Sequence, residues 1–397
     1  GINSTAVGSE SVANGLAAQA FGWQSMATAE RAHAFGHLAS ATGIRSLAIG
    51  EAAGATADTA TAIGNLAVAS AVDAVALGEQ ATASGLNSTA VGSESQATEA
   101  GTTAIGWQSA ATGVRAQAFG HLAQATGERS LAVGEAAMAS GETSTAMGNL
   151  AVASNTDAVA IGDIATASGL NSTAIGSESQ ATEAGTTAVG WQSAATGVRS
   201  QAFGHLANAS GERALAVGEA AAAAGMFATA IGNEAVADFD NSIAIGNGVA
   251  TTRANQVMLG NARNTYTLPG INSADSLNAQ SGTLNVVTAD ANGNLATIST
   301  GLSAADFLAS TNALAENSER IDKNSEGIAV ALALESPYVP ESKTFAISGG
   351  YGYFADESAY AFAGSYRTQS DMILSVGVGA GISTGEVGAR AGFSYAW

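Results

Sequence analysis

The sequence predicts a mostly β protein built from a repetitive solenoid, a short coiled coil and a set of membrane-spanning strands, and three periodicities predict it. Nineteen glycines recur at every fourteenth position, from Gly8, Gly22 and Gly36 to Gly246 and Gly260. Apolar residues recur every seven positions from Phe307 to Ile328, and beyond Phe345 apolar and small residues alternate. A fixed internal period marks one short unit stacked on the next, with a core that runs along an axis, so the first region is expected to be long.

A unit of this length is too short for a helix and its return, but it holds two strands of about five residues and two tight turns, with Gly supplying the turn dihedrals. Each unit is therefore expected to be one coil of a β-solenoid, and 19 coils at the strand spacing give roughly 90 Å. The residue before each Gly is always apolar: Val7, Phe21, Phe35, Ile49, Ile63, Leu77 and onward to Ile245 and Leu259. It is expected to fill the interior. Before it stands Ala6, Ala20, Ala34, Ala48 and so on to Ala244, yielding at Met258. Strand neighbours face opposite ways, so this alanine column is expected to form a close outer contact with a second copy of the chain.

The position after each Gly runs Ser9, Trp23, His37, Glu51, Asn65, Glu79, returns at Ser93, Trp107, His121, Glu135, Asn149, Asp163, and opens again at Ser177, Trp191, His205, Glu219. A position that accepts every residue type faces solvent. A block of six coils has therefore been duplicated over the shorter repeat.

Charge and composition narrow the function. Residues 1–254 hold seven Arg, no Lys and twenty Asp or Glu, a net of 7 − 20 = −13, within a chain at −20. Such a field repels nucleic acid and anionic lipid. With no cysteine there is neither a disulfide framework nor a thiolate metal site. No apolar run of about 20 residues offers a spanning helix. The mean hydropathy of +0.18 comes mostly from Ala and Gly, so stability is expected from repetition and association. The chain opens inside a repeat, Gly1-Ile2-Asn3 matching Gly85-Leu86-Asn87, and the expectation is a leader already removed or a sequence that begins downstream of one.

After Gly260 the rhythm stops at a Pro269-Gly270 connector, and Leu284–Thr288 and Leu295–Ile298 flank Asn292-Gly293, which favours a type I′ hairpin. Phe307, Leu314, Ile321 and Ile328 then occupy the a positions of a coiled coil, with Ser310, Asn317, Asn324 and Ala331 at d. Two Asn in a seam cost stability, and such layers are retained for register, oligomer number or an ion. Four heptads are marginal alone, so neighbouring segments must hold the helices together.

Residues 343–397 alternate strictly. Phe345, Ile347, Tyr351 and Tyr353 share one face against Ala346, Ser348, Gly350 and Gly352. Tyr360, Phe362 and Tyr366 continue it. Met372, Leu374, Val376 and Val378 oppose Ser375, Gly377, Gly379 and Gly381, and Val387, Ala389, Ala391, Phe393, Tyr395 and Trp397 oppose Gly388, Arg390, Gly392 and Ser394. Four strands of about ten residues, apolar outside and small inside, are the signature of an outer-membrane barrel, and three chains supply twelve. Arg390 points inward by parity, toward a helix carboxylate such as Glu335 or as a hydrated cation of the lumen.

Gly327-Ile-Ala-Val-Ala-Leu-Ala-Leu334, the four strands and the terminal aromatic resemble the membrane anchor of the YadA-type trimeric autotransporter adhesins. Asn3-Ser4-Thr5-Ala6-Val7-Gly8 with Ser11, its copies at 87–95 and 171–179, and Asn241-Ser-Ile-Ala-Ile-Gly246 resemble that family's head motif, Asn-Ser-Val-Ala-Ile-Gly-x-x-Ser. Leu314-x-x-Asn317-Ser318-x-x-Ile321 and Ile321-x-x-Asn324-Ser325-x-x-Ile328 resemble its stalk motif, whose core Asn residues hold an anion on the threefold axis. The resemblance implies a homotrimeric left-handed parallel β-roll head at 1–254, a neck at 255–271, a connector with a small hairpin at 272–303, a coiled-coil stalk and pore helix at 304–336, and a twelve-stranded transmembrane barrel from 343–397. It also implies type V secretion, in which the passenger leaves through the trimeric barrel and the helices stay as a plug. Inward Gly and Ser leave room for three helices, and Ala329, Ala331 and Ala333 keep them slim.

The expected protein is thus a cell-surface adhesin in the outer membrane, exported by itself with the barrel-assembly machinery, binding a matrix protein or cell-surface ligand. Its candidate residues are the head motif positions Asn3, Ser4, Gly8, Asn87, Ser88, Gly92, Asn171, Ser172 and Gly176, and the surface Trp23, Trp107 and Trp191. To these are added Asn317 and Asn324 for a chloride or similar anion, and Gly350, Gly377, Gly379, Arg390 and Trp397 in the anchor. No other cofactor is implied. The three Trp lie six coils apart, about 29 Å, and form no shared cage. His33 and His37 are not neighbours on a strand, and His33 becomes Gln117 and Gln201, so they are read as no metal pair. No nucleophile, base and acid converge as an enzyme requires. A non-adhesive spacer or coat is the alternative, and ice binding is weaker because Gln19, His33, Leu47 and Val75 break the Thr column.

Overall fold

In the computed structural model, which describes residues 1–395, the chain divides into two compact units at Thr265. The first is a β-solenoid with one coil per glycine repeat. Each coil places a three-residue strand in one parallel ladder, 19 strands from Thr5–Val7 to Val257–Leu259. A two-residue strand joins a second ladder of 17, from Val12–Ala13 to Val236–Ala237. Partners are offset by one repeat, Ala6 pairing with Ala20 and Val12 with Met26. The strands are shorter than five residues because the turns take more of the coil. Each turn holds a residue in the left-handed region, such as Asn3 at φ 59° and Glu10 at φ 59°.

The two strand faces are the reverse of the sequence expectation. Alanines 20, 34, 48 and onward to Ala244 are wholly buried inside the coil, whereas Phe21, Ile49 and Ile105 point outward. A representative coil fills its interior with Ala18, Ala20, Ser25 and Ala27, all at 0% exposure. So narrow a coil has room for four methyl or hydroxymethyl groups, and a Phe or Ile there would overpack it. Many interior hydroxyls bond turn carbonyls three residues back: Ser25 Oγ donates to Gly22 O at 3.0 Å, and Thr102 Oγ1 to Glu99 O at 2.6 Å, whereas the Oγ atoms of Ser88, Ser172 and Ser200 are buried without a partner. The outward apolar column is only partly covered in the single chain.

The second unit begins with a short 3-10 turn at Pro269–Asn272 and one helical turn at Ala274–Asn278. An antiparallel hairpin follows, Thr283–Ala289 with Leu295–Ser303. Its turn is not type I′. Gly293 alone has positive φ (79°), Gly293 N donates to Asp290 O at 3.0 Å, and Asp290 N to Asn294 O at 3.1 Å, the pattern of a three-residue loop closed by a left-handed Gly. The loop is one residue longer than type I′ permits. The next helix spans Ala304–Ala333 and starts on a capping box, with Ser303 and Asp306 bonding each other's backbone N–H. The Ser303 hydroxyl, followed by its backbone N–H, holds the Asp306 carboxyl below the ordinary carboxylate range. No helix among the described residues is long and apolar enough to cross a membrane, which says nothing of strands.

Four antiparallel strands complete the unit in sequential order: Phe345–Phe354, Glu357–Arg367, Met372–Gly381 and Val387–Tyr395. The first two are joined by Ala355-Asp356, both at positive φ (47° and 66°), so the type I′ geometry expected at Asn292-Gly293 occurs here. The long helix lays one face on this sheet through Glu326, Ala329, Val330, Ala333 and Leu334.

Candidate functional site

Three surfaces carry the chemistry, and the first is the column after each repeat glycine. Adjacent coils bring Trp23 onto His37, Trp107 onto His121 and Trp191 onto His205, each pair stacked at 4.6 Å between ring centroids and within 7° of parallel. Each imidazole Nδ1 lies 3.3 to 3.4 Å from a carboxylate oxygen one coil further on, Glu51, Glu135 or Glu219. Asn65 and Asn233 donate to two of those carboxylates at 3.4 and 3.1 Å. The three Trp therefore share no cage, but each is braced by its own His-Glu ladder while remaining 50 to 52% exposed. The six-residue series in the sequence already contained this neighbour relation, because coil stacking turns one repeat interval into a contact. His33 stands in a different column, with its ring 6.4 Å from Phe35, and among the described residues no group of His, Cys, Asp and Glu could hold a metal ion.

The head motif positions divide into turn, core and surface. Asn3, Asn87 and Asn171 occupy left-handed turn positions at φ 59°, 57° and 54° and face solvent. Gly8, Gly92 and Gly176 have φ 127–128°, where only Gly is at ease, and a Cβ on any of them would stand 2.4 to 2.5 Å from the carbonyl oxygen of the next coil's Gly. Ser88 and Ser172, expected among ligand contacts, are wholly buried. The correction follows from parity: they lie two residues from the inward alanine and face the same way. Ser4 is only partly covered because it belongs to the first coil. The motif thus builds the coil.

The second surface is the far face of the long helix. Leu314, Ile321 and Ile328 are 68%, 62% and 43% exposed, and Asn317 and Asn324 lie on the same side. The side chain of Phe307, the first residue of that series, lies outside the described residues.

The third surface is the anchor sheet. Its small-residue face receives the helix so closely that a Cβ on Gly350 would meet Ala333 O at 2.0 Å, and one on Gly352 would meet Ala329 O at 1.9 Å. Gly377 and Gly379 are similarly filled by Leu334 and Val330 at 2.9 Å. Ala329 and Ala333 keep this contact slim, while Ala331 stays exposed. Arg390 does face the helix, but it donates to the Leu334 carbonyl at 3.4 Å and not to the Glu335 carboxylate. A carbonyl at the helix C-terminus carries the partial negative charge that suits a cation. Glu326, a charged residue of the long helix, is wholly buried. Its carboxylate accepts from Ser383 N at 2.5 Å, Thr384 N at 3.0 Å, Glu386 N at 3.1 Å and the Thr384 hydroxyl. Those partners lie in the loop between the third and fourth strands. The opposite face exposes Phe345, Ile347, Tyr351, Tyr360, Phe362, Val376 and Phe393, an apolar belt with tyrosines. Trp397 lies outside the described residues.

Comparison with known proteins agrees with this geometry. The family described as "YadA-like membrane anchor domain" matches residues 337–397. The "YadA head domain repeat (2 copies)" matches residues 1–25, 27–53, 41–67, 69–95, 83–109, 111–135, 139–163, 167–193, 195–221 and 223–248. Among solved structures, the crystal structure of the collagen-binding domain of the Yersinia adhesin YadA is 27% identical, covering 40% of this chain and 72% of that one, with a TM-score of 0.23. No curated protein matches the chain. With a solenoid of head repeats over more than half its length and a matching anchor at its C-terminal end, the chain belongs to the YadA-like trimeric autotransporter adhesins, held in the outer membrane by its anchor with the head outside the cell.

Proposed function

We propose that three copies of the chain close their anchor sheets into one twelve-stranded barrel, export their own heads through it, and attach the cell to a matrix protein or a ligand on another cell. The observation that carries this reading is the unfinished state of one chain. Its anchor is an open sheet whose first and fourth strands each pair on one side only, and four strands cannot close a barrel. The long helix exposes Leu314, Ile321 and Ile328 along a heptad seam, and the solenoid exposes Val7, Ile49, Ile105, Ile175 and Ile231 along its outward column. Threefold association covers all of these with like surfaces.

Export follows from the same parts. A barrel of twelve strands leaves a lumen for side chains or helices, and the inward glycines widen it on the helix side. After passage, each helix is retained by its Ala329 and Ala333 contacts and by the Glu326 clamp on the loop between strands three and four. The barrel-assembly machinery is the partner for insertion. Asn317 and Asn324 present amides in the same seam as Leu314 and Ile321, a donor set that suits chloride or a similar anion on the trimer axis.

Two measurements test the proposal. Outer-membrane fractions should contain an SDS-resistant band at three times the chain mass, and a band at the chain mass alone would refute the assembly. Cells displaying the full chain should attach to immobilised matrix proteins or host cells, and a head-deleted chain should not. Equal attachment by the two would make the solenoid a spacer.

A further inference from the structure

Each exposed tryptophan is half of a shelf. One indole face is stacked on a histidine of the next coil, so the other looks toward the preceding coil, where the same column holds Ser9, Ser93 or Ser177. A serine side chain is too short to cover an indole, and half of each Trp remains open. The residue after each Ser is a glutamate, and the residue after each Trp is a glutamine that holds it. Gln24 Nε2 donates to Glu10 Oε2 at 2.6 Å, Gln108 to Glu94 at 2.8 Å and Gln192 to Glu178 at 2.8 Å. The shelf therefore has an aromatic wall, a hydroxyl floor and a carboxylate fixed at its edge, three times over.

We propose that each Ser-Glu and Trp-Gln step binds one arginine side chain of a basic partner polypeptide, its guanidinium stacked on the indole and paired with the carboxylate. The inference rests on the adhesin reading and names the chemistry of its ligand. A guanidinium is planar, stacks on aromatic faces and bonds carboxylates with a fork of donors, whereas an ammonium is compact and strongly hydrated. Charge is complementary, since residues 1–254 carry 7 − 20 = −13. The wall is preorganised: the His-Glu ladder behind each Trp fixes the ring before any ligand arrives. Successive shelves are six coils apart, about 29 Å, which an extended chain spans in about nine residues. A partner with arginines at that interval engages several shelves at once and gains avidity without a new contact.

The test uses the full chain in outer-membrane vesicles and two dodecapeptides, one with two arginines nine residues apart and one with both replaced by lysine. The arginine peptide should bind at least tenfold more tightly than the lysine peptide and change the indole emission. Combined replacement of Trp23, Trp107 and Trp191 by Ala should weaken it at least tenfold without altering net charge. Replacing Glu10, Glu94 and Glu178 by Gln should do the same, while Gln at Glu128, Glu142 and Glu212, exposed away from the shelves, should leave affinity within twofold. Equal binding by all variants would reduce the interaction to bulk charge and overturn the shelf. So would failure of the parent to bind, or a neutral oligosaccharide that needs the Trp set and not the Glu set. Cell attachment by the same variants separates the two readings, because attachment that persists without the shelves leaves the adhesin assignment standing.

Discussion

At the scale of single residues, the solenoid is governed by what cannot fit. Gly92 combines φ 127° with a next-coil carbonyl oxygen 2.5 Å from where a Cβ would sit, so backbone strain and collision act together. Gly92→Ala should lower head stability by about 1 to 3 kcal/mol through backbone strain alone. Gly54 lies on a strand with nothing within 4 Å of an added methyl, so Gly54→Ala should be neutral or stabilise by about 0.5 kcal/mol. Thermal unfolding of the two heads by circular dichroism makes the comparison, and similar midpoints would show that the repeat glycines are not sterically required. The inward alanines obey the same rule. Ala104→Leu or Ala188→Leu should cost about 1 to 3 kcal/mol through overpacking. Ile105→Ala, on the outer face, should leave an isolated monomeric head almost unchanged, and a monomeric Ile105→Ala head as unstable as Ala104→Leu would contradict the assignment of faces.

At the scale of elements, the sequence made the periods legible and left the contacts between distant segments obscure. The glycine period located every coil, yet it could not say whether Ala20 or Phe21 faces inward. Both columns are uniform, and hydrophobicity favours the larger residue inside until the narrowness of the closed coil is known. The alternation of the anchor strands was legible because it is local: Phe345 and Ile347 out, Ala346 and Ser348 in. The Trp-His stacks were latent in one column, needing only the step from interval to contact. Glu326 was not legible, since its partners Ser383, Thr384 and Glu386 belong to a distant segment and reach it only through the fold. The buried carboxylate makes a specific prediction. Glu326→Ala strands the loop amides without an acceptor, at about 1 to 3 kcal/mol per chain, so the SDS-resistant trimer should dissociate at a lower temperature. Glu326→Gln keeps one acceptor and should fall between. An unchanged dissociation temperature in both would leave the clamp without weight. The seam asparagines should behave oppositely: Asn317→Ile with Asn324→Ile should raise the melting temperature of the stalk and remove its dependence on halide concentration. Retained halide dependence would place the anion elsewhere.

At the scale of the whole molecule, the decisive property is that the chain leaves its apolar surface in long stripes. The outward column from Val7 to Ile245, the helix seam at Leu314, Ile321 and Ile328, and the two free sheet edges each require a partner. Stripes of this kind on a monomer would mark aggregation sites, whereas a closed threefold assembly uses each of them once. The anchor and head contributions to that assembly separate cleanly. Removing residues 343–397 takes away the strands that would form the pore, so the head should reach the periplasm and never the surface, as surface labelling with an antibody to the solenoid would register. Introducing Glu at Ile105 and Ile175 leaves the anchor intact and the coil interior untouched, because both side chains point outward. That variant should still be displayed and should keep its SDS-resistant barrel, but its three heads should separate, each coil stack now carrying like charges on the faces that would meet. Limited proteolysis of the displayed heads reads the difference, with faster cleavage expected in the Glu variant than in the parent. Identical cleavage patterns would mean that the outward apolar column is not the surface through which the heads associate, and that the trimer is held by its stalk and barrel alone.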